Sequence, residues 1–202
     1  MAMPGPHDLL RLSTAVPATG APEWIAETLR AAPWVVVRRG IAPNGLIPVG
    51  VRGINRSERY ATEVYPGVIC EMVAPEDLAH VAVSDELPAL STLKNVRCLL
   101  ADADLPWGPT GSVGFALATG LATATPDSDL DLLVRAPQGV TEALPALVQL
   151  HDQFRSLAAR VDCQVETPSG AVALAELVGR QPDIMVRTAR GPCLMPRIVA
   201  IS

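Results

Sequence analysis

Two aspartates separated by one residue precede an apolar run in the second half of the chain. Residues 126–134 read PDSDLDLLV, and the apolar end of this segment is typical of a buried strand. Because alternate residues of a strand share a face, Asp129 and Asp131 point to one side, and Leu130, Leu132 and Val134 point to the other. Two carboxylates about 7 Å apart along a strand repel by roughly 2 kcal/mol at an intermediate dielectric constant. The pattern favours a site for magnesium, with manganese as an alternative. A solvated acidic turn, with Asp127 in the turn itself, is the simpler interpretation.

A third carboxylate is available from a second strand-like segment. Residues 160–167, RVDCQVET, alternate so that Asp162, Gln164 and Glu166 share one face. A carboxylate on a neighbouring strand would complete a two-metal site for phosphoryl or nucleotidyl transfer. We predict Asp162 as this ligand, with Glu166 as the alternative and a polar solvent face as the non-functional interpretation.

A glycine-serine pair lies upstream of the aspartates. Gly111 and Ser112 occur in WGPTGSVGFALATG, residues 107–120. We predict a tight turn whose backbone N–H groups face a phosphate, with the Ser112 hydroxyl as a further donor. Most such turns only connect elements. We expect Trp107 to pack rather than to stack on a base.

The first half of the chain contains an arginine cluster. If residues 54–61 are helical, Arg52, Arg56 and Arg59 in VRGINRSERYA lie near one face. The planar guanidinium pairs well with phosphate, so these residues are candidates for an anionic substrate. An ion-paired surface helix is the alternative.

The elements that must position these residues alternate between strands and helices. We predict a hairpin of residues 34–39 and 46–53 around the turn APNG, and helices over 23–31 and 87–100. The second half is predicted to contain strands and helices in alternation: strand 130–136, helix 141–159 capped by Thr141, strand 160–167, helix 169–180, and strands 183–188 and 197–202. The fold class is α+β, with a mixed sheet and packed helices in a catalytic domain of residues 91–202. We predict that a smaller α/β domain of residues 1–90 precedes it.

Composition limits the function classes. Of 202 residues 49% are hydrophobic and only 3% aromatic, and the net charge is −5, so a large core is available and broad nucleic-acid binding is not expected. The four cysteines form no CxxC pair, so we expect reduced and mostly buried thiols and no local zinc site. We expect no signal peptide and no membrane span, and hence a cytoplasmic protein.

The motifs in order resemble a known family. The Gly-Ser pair followed by an Asp-x-Asp strand is similar to the nucleotidyltransferase superfamily typified by DNA polymerase beta. The ordered set HDLL, WVVVRRG, IPVGVRGINRSERYA, LPAL, WGPTGSVGFALATG, SDLDLLVRAP and VDCQVETPSG resembles malonate decarboxylase holo-acyl-carrier-protein synthase, also called phosphoribosyl-dephospho-coenzyme A transferase. This resemblance covers nearly the whole chain.

The resemblance implies a reaction and its partners. A phosphoribosyl-dephospho-coenzyme A group passes from triphosphoribosyl-dephospho-coenzyme A to a serine of the apo acyl-carrier subunit, and pyrophosphate leaves. Asp129, Asp131 and Asp162 would hold Mg²⁺, and Gly111 and Ser112 would hold the departing phosphates. A nucleotidyltransferase with another protein or small-molecule acceptor is the alternative enzyme. A nucleotide-binding module without catalysis is the third interpretation, and the intact carboxylates argue against it.

Overall fold

The computed structural model describes residues 3–14, 20–53, 57–84, 86–101, 103, 105–137 and 139–201. The chain divides into two compact units, Met1–Ala74 and Pro75–Ser202. The sequence-based boundary lies at residue 90, within a helix of the second unit. That helix buries Leu93 and Val96 in the core of the second unit, which is why the division comes before it.

The first unit is a five-stranded antiparallel sheet with one helix. Its elements are β1 (Leu9–Leu12), α1 (Glu23–Ala31), β2 (Trp34–Val37), β3 (Ile47–Arg52), β4 (Arg59–Val64) and β5 (Ile69–Val73). The strand order is β4-β3-β2-β1-β5. Strand β3 buries every second residue, and α1 buries Ile25 and Leu29 in the same core. The predicted helix at 23–31 and the predicted hairpin are confirmed.

The predicted helix over residues 54–61 is wrong for the part that the structure describes. Arg59 begins β4, which pairs antiparallel with β3, and Arg52 lies directly opposite Arg59. The segment RYATEV alternates between more and less exposed positions, so a period of two prevails over the spacing of the arginines. Arg56 lies outside the described residues.

The second unit contains a six-stranded mixed sheet. Its elements are α2 (Pro75–Leu78), α3 (Pro88–Leu100), β6 (Trp107–Pro109), α4 (Gly111–Thr119), β7 (Leu130–Arg135), α5 (Leu144–Phe154), β8 (Val161–Thr167), β9 (Gly170–Ala173), α6 (Leu174–Leu177), β10 (Asp183–Thr188), β11 (Gly191–Pro196) and α7 (Arg197–Ala200). The strand order is β11-β10-β9-β8-β7-β6. Strands β7 and β8 are parallel, and α5 connects them. The two units together confirm the α+β class.

Two sequence predictions in this unit are wrong, and a third is too long. The segment predicted as a helix over 169–180 starts with β9, because the Thr167 hydroxyl and Gly170 at φ +135° close a hairpin with β8. Residues 197–200 form the short helix α7 rather than a strand, and the unpredicted edge strand β11 precedes them. Helix α5 covers Leu144–Phe154 only. Thr141 does not cap it, because its hydroxyl donates to the Ile201 carbonyl at 3.3 Å.

Three smaller expectations can be compared with the structure. Trp107 is buried and packs edge-on against the His80 ring, so its expected packing role is confirmed. All four cysteines are free, but only Cys163 is buried, so the expectation of mostly buried thiols is wrong. Within the described ranges, none of the helices is long and apolar enough to span a membrane.

Candidate functional site

The parallel pairing of β7 and β8 brings two carboxylates together. Asp131 and Asp162 are register partners, so their side chains project from the same face of neighbouring strands, about 5 Å apart at the backbone. Leu130 and Leu132, on either side of Asp131, are buried and anchor β7 in the core. Asp129 immediately precedes β7, where the Leu130 N–H donates to the Arg160 carbonyl at 2.9 Å. The sheet therefore gathers the three predicted aspartates at one end of a strand pair.

Arg160 lies among these carboxylates. Its Nη1 is 3.6 Å from Asp129 Oδ2, and its Nη2 is 3.7 Å from Asp162 Oδ2. The arginine side chain is 72% exposed, so both ion pairs are solvent-screened and each stabilises by less than about 1 kcal/mol. Arg160 offsets the repulsion between the acidic groups, and a weak ion pair of this kind is readily exchanged for another cation.

Helix α4 begins against Asp131. The Thr110 N–H donates to the Asp131 carbonyl oxygen at 2.8 Å, and Gly111 follows with φ +59°. A Cβ at Gly111 would lie 1.8 Å from Asp131 Oδ2, so this position requires glycine for space as well as for its backbone conformation. The helix start and the carboxylate are thus packed together.

The expected Gly-Ser turn is in fact the first turn of this helix. Ser112 is buried, and its carbonyl accepts a 2.8 Å hydrogen bond from the Thr123 hydroxyl. A Cβ at Gly114 would lie 2.5 Å from the Pro109 carbonyl oxygen, so the helix starts in close contact with β6. The first N–H groups of a helix have no partner within it and carry a partial positive charge. The start of α4 is therefore suited to an anion, as the sequence predicts for Gly111 and Ser112.

Glu166 lies away from the acidic end of the strands, and Asp127 lies outside β7. Glu166 is the register partner of Arg135, whose guanidinium also donates to Glu76. Glu166 is four positions along β8 from Asp162, a distance of roughly 13 Å. Asp127 is exposed in the turn before β7.

The donor chemistry of the three aspartates fits a hard divalent cation, which prefers carboxylate oxygens. In the part of the chain that the structure describes, no three His, Cys, Asp or Glu side chains are grouped closely enough to hold a metal ion. The guanidinium of Arg160 occupies part of the space between two of the carboxylates.

The predicted arginines belong to the other unit. Arg52 and Arg59 end and begin the paired strands β3 and β4, and the Gly53 N–H donates to the Glu58 carbonyl at 3.0 Å between them. A Cβ on Gly53 would meet the Glu58 side chain, so an acidic group lies beside this arginine pair.

Sequence reasoning missed two features. Arg160 precedes β8, two residues before Asp162 and hence on the same face, a signal that the sequence contained. A pocket of about 430 Å³ borders this site and is lined by residues of α5, β8, β9 and α6. Its lining residues come from separate segments of the chain, so no local sequence pattern predicts the pocket.

Buried Cys163 lines the pocket on the core side of β8. Burial, with a smaller contribution from the charge of Asp162, raises the pKa of its thiol to about 12. The thiol is therefore protonated at neutral pH and is not a nucleophile.

Comparison with known proteins defines the class of protein. Residues 77–198 match the family model described as phosphoribosyl-dephospho-CoA transferase MdcG C-terminal domain, and residues 5–75 match the corresponding N-terminal domain. The chain is a transferase. The two matches divide the chain close to the boundary between its two compact units.

Individual relatives cover nearly the full length of the chain. A phosphoribosyl-dephospho-CoA transferase of Pseudomonas fluorescens (strain Pf0-1) is 39% identical over 94% of this chain and 91% of its own. Proteins of the same name from Pseudomonas aeruginosa and Azotobacter vinelandii are 37% and 40% identical, each over 96% of this chain and 93% of theirs. The chain belongs to the phosphoribosyl-dephospho-CoA transferase family, as the motifs predicted. No solved structure matches it significantly.

Proposed function

We propose that this protein transfers phosphoribosyl-dephospho-CoA from triphosphoribosyl-dephospho-CoA to a serine of the apo acyl-carrier subunit of malonate decarboxylase, with release of pyrophosphate. The observation that carries the proposal is the register pairing of Asp131 with Asp162, beside the start of α4. The near full-length similarity to enzymes named phosphoribosyl-dephospho-CoA transferase supports the identity of the transferred group.

The reaction is an in-line displacement at phosphorus. The serine Oγ forms a bond to the α-phosphorus, and the bond from that phosphorus to the oxygen bridging to the β-phosphate breaks. Both electrons of the broken bond leave with pyrophosphate, and the serine proton passes to a base. Asp162, half-exposed beside Asp131, is the proposed base. The product is a phosphodiester between serine and ribose.

Asp129, Asp131 and Asp162 are the proposed ligands of Mg²⁺, with Mn²⁺ as an alternative. When bound, the cation would stabilise the negative charge that develops on the phosphoryl oxygens. Arg160 would exchange its contacts with Asp129 and Asp162 for contacts with phosphate, because these exposed ion pairs are weak.

The start of α4 is the proposed position of the departing phosphates. Gly111 lets the backbone approach Asp131 closely, and the N–H groups there, together with the Ser112 hydroxyl, suit the β- and γ-phosphates. Arg52, Arg56 and Arg59 of the first unit are proposed to bind the donor as well, which gives that unit a role in donor and carrier recognition.

Pyrophosphate release tests this proposal directly. The protein is incubated with Mg²⁺ and triphosphoribosyl-dephospho-CoA, with the apo carrier subunit, without it, or with a carrier whose acceptor serine is replaced by alanine. We expect stoichiometric pyrophosphate with the intact carrier only. Equal release under all three conditions would show hydrolysis of the donor and contradict the acceptor assignment.

A further inference from the structure

The pocket beside the acidic face combines an apolar wall with a basic rim. Phe154 of α5 and Leu174 of α6 are buried and line it, and Ala173 and Ala175 leave it open. Small side chains at the β9–α6 junction therefore create the space, and Phe154 contributes an aromatic side chain to the apolar wall. A volume of about 430 Å³ lies in the range of small-molecule sites.

Three groups that carry or accept positive charge line the pocket: His151, Arg155 and Arg160. Arg155 follows the last residue of α5 and is exposed, so its guanidinium can meet a ligand without the loss of a buried contact. Among the described residues that line the pocket, Asp162 is the single carboxylate, and Arg160 lies 3.7 Å from it. In a protein with net charge −5 this rim is locally suited to an anion.

The pocket and the proposed transfer site share Arg160 and Asp162. A ligand in the pocket therefore extends directly to the carboxylates. The proposed donor contains chemical groups that match the wall and the rim of the pocket. Its triphosphate is carried on a ribose that is joined to dephospho-CoA. The dephospho-CoA part contains an adenosine and a diphosphate. A planar base suits the apolar wall, and the diphosphate suits the arginine rim.

We propose that this pocket binds the adenosine diphosphate portion of the donor, with the adenine against Phe154 and Leu174 and the diphosphate at Arg155. The proposal rests on the proposed function, because it assigns a subsite for the same donor. Cys163, protonated at neutral pH, contributes only to the wall.

Two variants test the pocket, each with a matched control. Ala175→Phe adds bulk at an exposed lining position, and Val148→Phe adds similar bulk on α5 outside the lining. Arg155→Glu reverses a rim charge, and Arg180→Glu makes the same reversal at an exposed site outside the lining. Because all four positions are exposed or partly exposed, we expect every variant to fold with an unchanged circular dichroism spectrum.

The readouts are calorimetric binding of 3′-dephospho-CoA and of ADP, and the KM for the donor in the transfer reaction. We expect Ala175→Phe and Arg155→Glu to weaken binding of both probes and raise the donor KM at least about tenfold, with kcat changed less than about threefold. The two control variants should match the wild type. The expected KM effect with little change in kcat separates lost donor binding from a structural defect.

Other outcomes would overturn the pocket assignment without touching the proposed function. Transfer with an unchanged donor KM in both pocket variants would place the nucleotide elsewhere. Competition by pantetheine but not by ADP would assign the pocket to the other end of dephospho-CoA. If the wild type transferred nothing, the proposed function would fail, while binding of 3′-dephospho-CoA that is lost in Ala175→Phe would still support the pocket.

Discussion

Each unit of this protein places two side chains of like charge directly across a pair of strands. In the second unit, Asp131 and Asp162 are partners in the parallel pair β7 and β8. In the first unit, Arg52 and Arg59 are partners in the antiparallel pair β3 and β4. Like charges directly opposite one another are destabilising, so each pair calls for groups of opposite charge nearby.

The two pairs differ in how the chain brings them together. The arginines are close in sequence and meet across a short connection. The aspartates are far apart in sequence and meet because α5 returns the chain to a parallel strand. The second unit also positions a helix start and Arg160 against its pair. The acidic pair suits a cation, and the arginine pair suits a polyphosphate. The described contacts of the acidic pair include a helix start and a charged side chain from outside the pair. We therefore propose that the chemistry takes place at the acidic pair and that the arginine pair contributes to donor binding.

The largest expected effect comes from the two aspartates at the start of β7. Asp129→Ala or Asp131→Ala should lower the single-turnover transfer rate by roughly a thousandfold, because a cation ligand is lost. For Asp129→Ala the free energy of unfolding should change by less than about 1 kcal/mol, because the ion pair of Asp129 with Arg160 is exposed. Asp127→Ala, in the exposed turn, is the control and should transfer at the wild-type rate. Near-normal transfer by either variant at matched Mg²⁺ would remove the replaced aspartate from the site.

The contact between α4 and Asp131 gives the next largest effect. Gly111→Ala should lower the transfer rate about a hundredfold and reduce stability, since the new Cβ meets the Asp131 carboxylate. Gly120→Ala is a matched control, because Gly120 also has a positive φ of 74° but has nothing within 4 Å of an added Cβ. Gly120→Ala should lower stability by about 1 kcal/mol and leave transfer intact. Equal losses of transfer in the two variants would show that backbone strain alone, and not the contact with Asp131, explains the result.

The arginine pair should affect binding more than turnover. Arg52→Ala and Arg59→Ala should each raise the donor KM about fivefold to tenfold with little change in kcat, because each removes a proposed phosphate contact. Arg30→Ala, exposed on α1 of the same unit, is the control. An unchanged donor KM in both variants would confine donor binding to the second unit.

The smallest expected effect concerns the reactivity and protonation of the buried Cys163 thiol. Alkylation of the native protein at pH 8, followed by mass spectrometry, should label Cys70, Cys98 and Cys193 but leave Cys163 unlabelled. The pKa of the Cys163 thiol is about 12 in the folded state and about 9 when exposed. Its contribution to the free energy of unfolding is therefore fully present below pH 9. It is lost as the pH rises from 9 to 12, by at most about 1.4 kcal/mol per pH unit. Urea unfolding at pH 8 and pH 10, with Cys163→Ala for comparison, measures this loss; equal pH dependence in both proteins would contradict it.

The sequence predicts the two strands that carry the acidic residues well, because strand periodicity is a local property. Alternation in LDLLVR and VDCQVET sets which residues share a face, and both strands form where predicted. The partnership of Asp131 with Asp162 depends on strand order and register, so the sequence could offer Asp162 and Glu166 but not decide between their positions.

The failures have a common physical origin. Arginines at spacings of four and three suggested a helix, but pairing with β3 makes the same segment a strand. The run after Ser169 has helical composition, yet the Gly170 hairpin turns its first residues into β9. In both places a hydrogen-bonded partner strand overrides local propensity. The pocket at Arg155 could not be predicted at all, since its walls come from four separate elements.

The most direct test of the central claim is the intact mass of the apo carrier subunit after incubation with donor, Mg²⁺ and this protein. We predict a mass gain equal to the donor minus pyrophosphate with the wild type and with Asp127→Ala, and no gain with Asp131→Ala. A carrier that keeps its apo mass with the folded wild-type protein, or that gains the full mass with Asp131→Ala, would contradict the claim that the paired strands β7 and β8 carry the transfer.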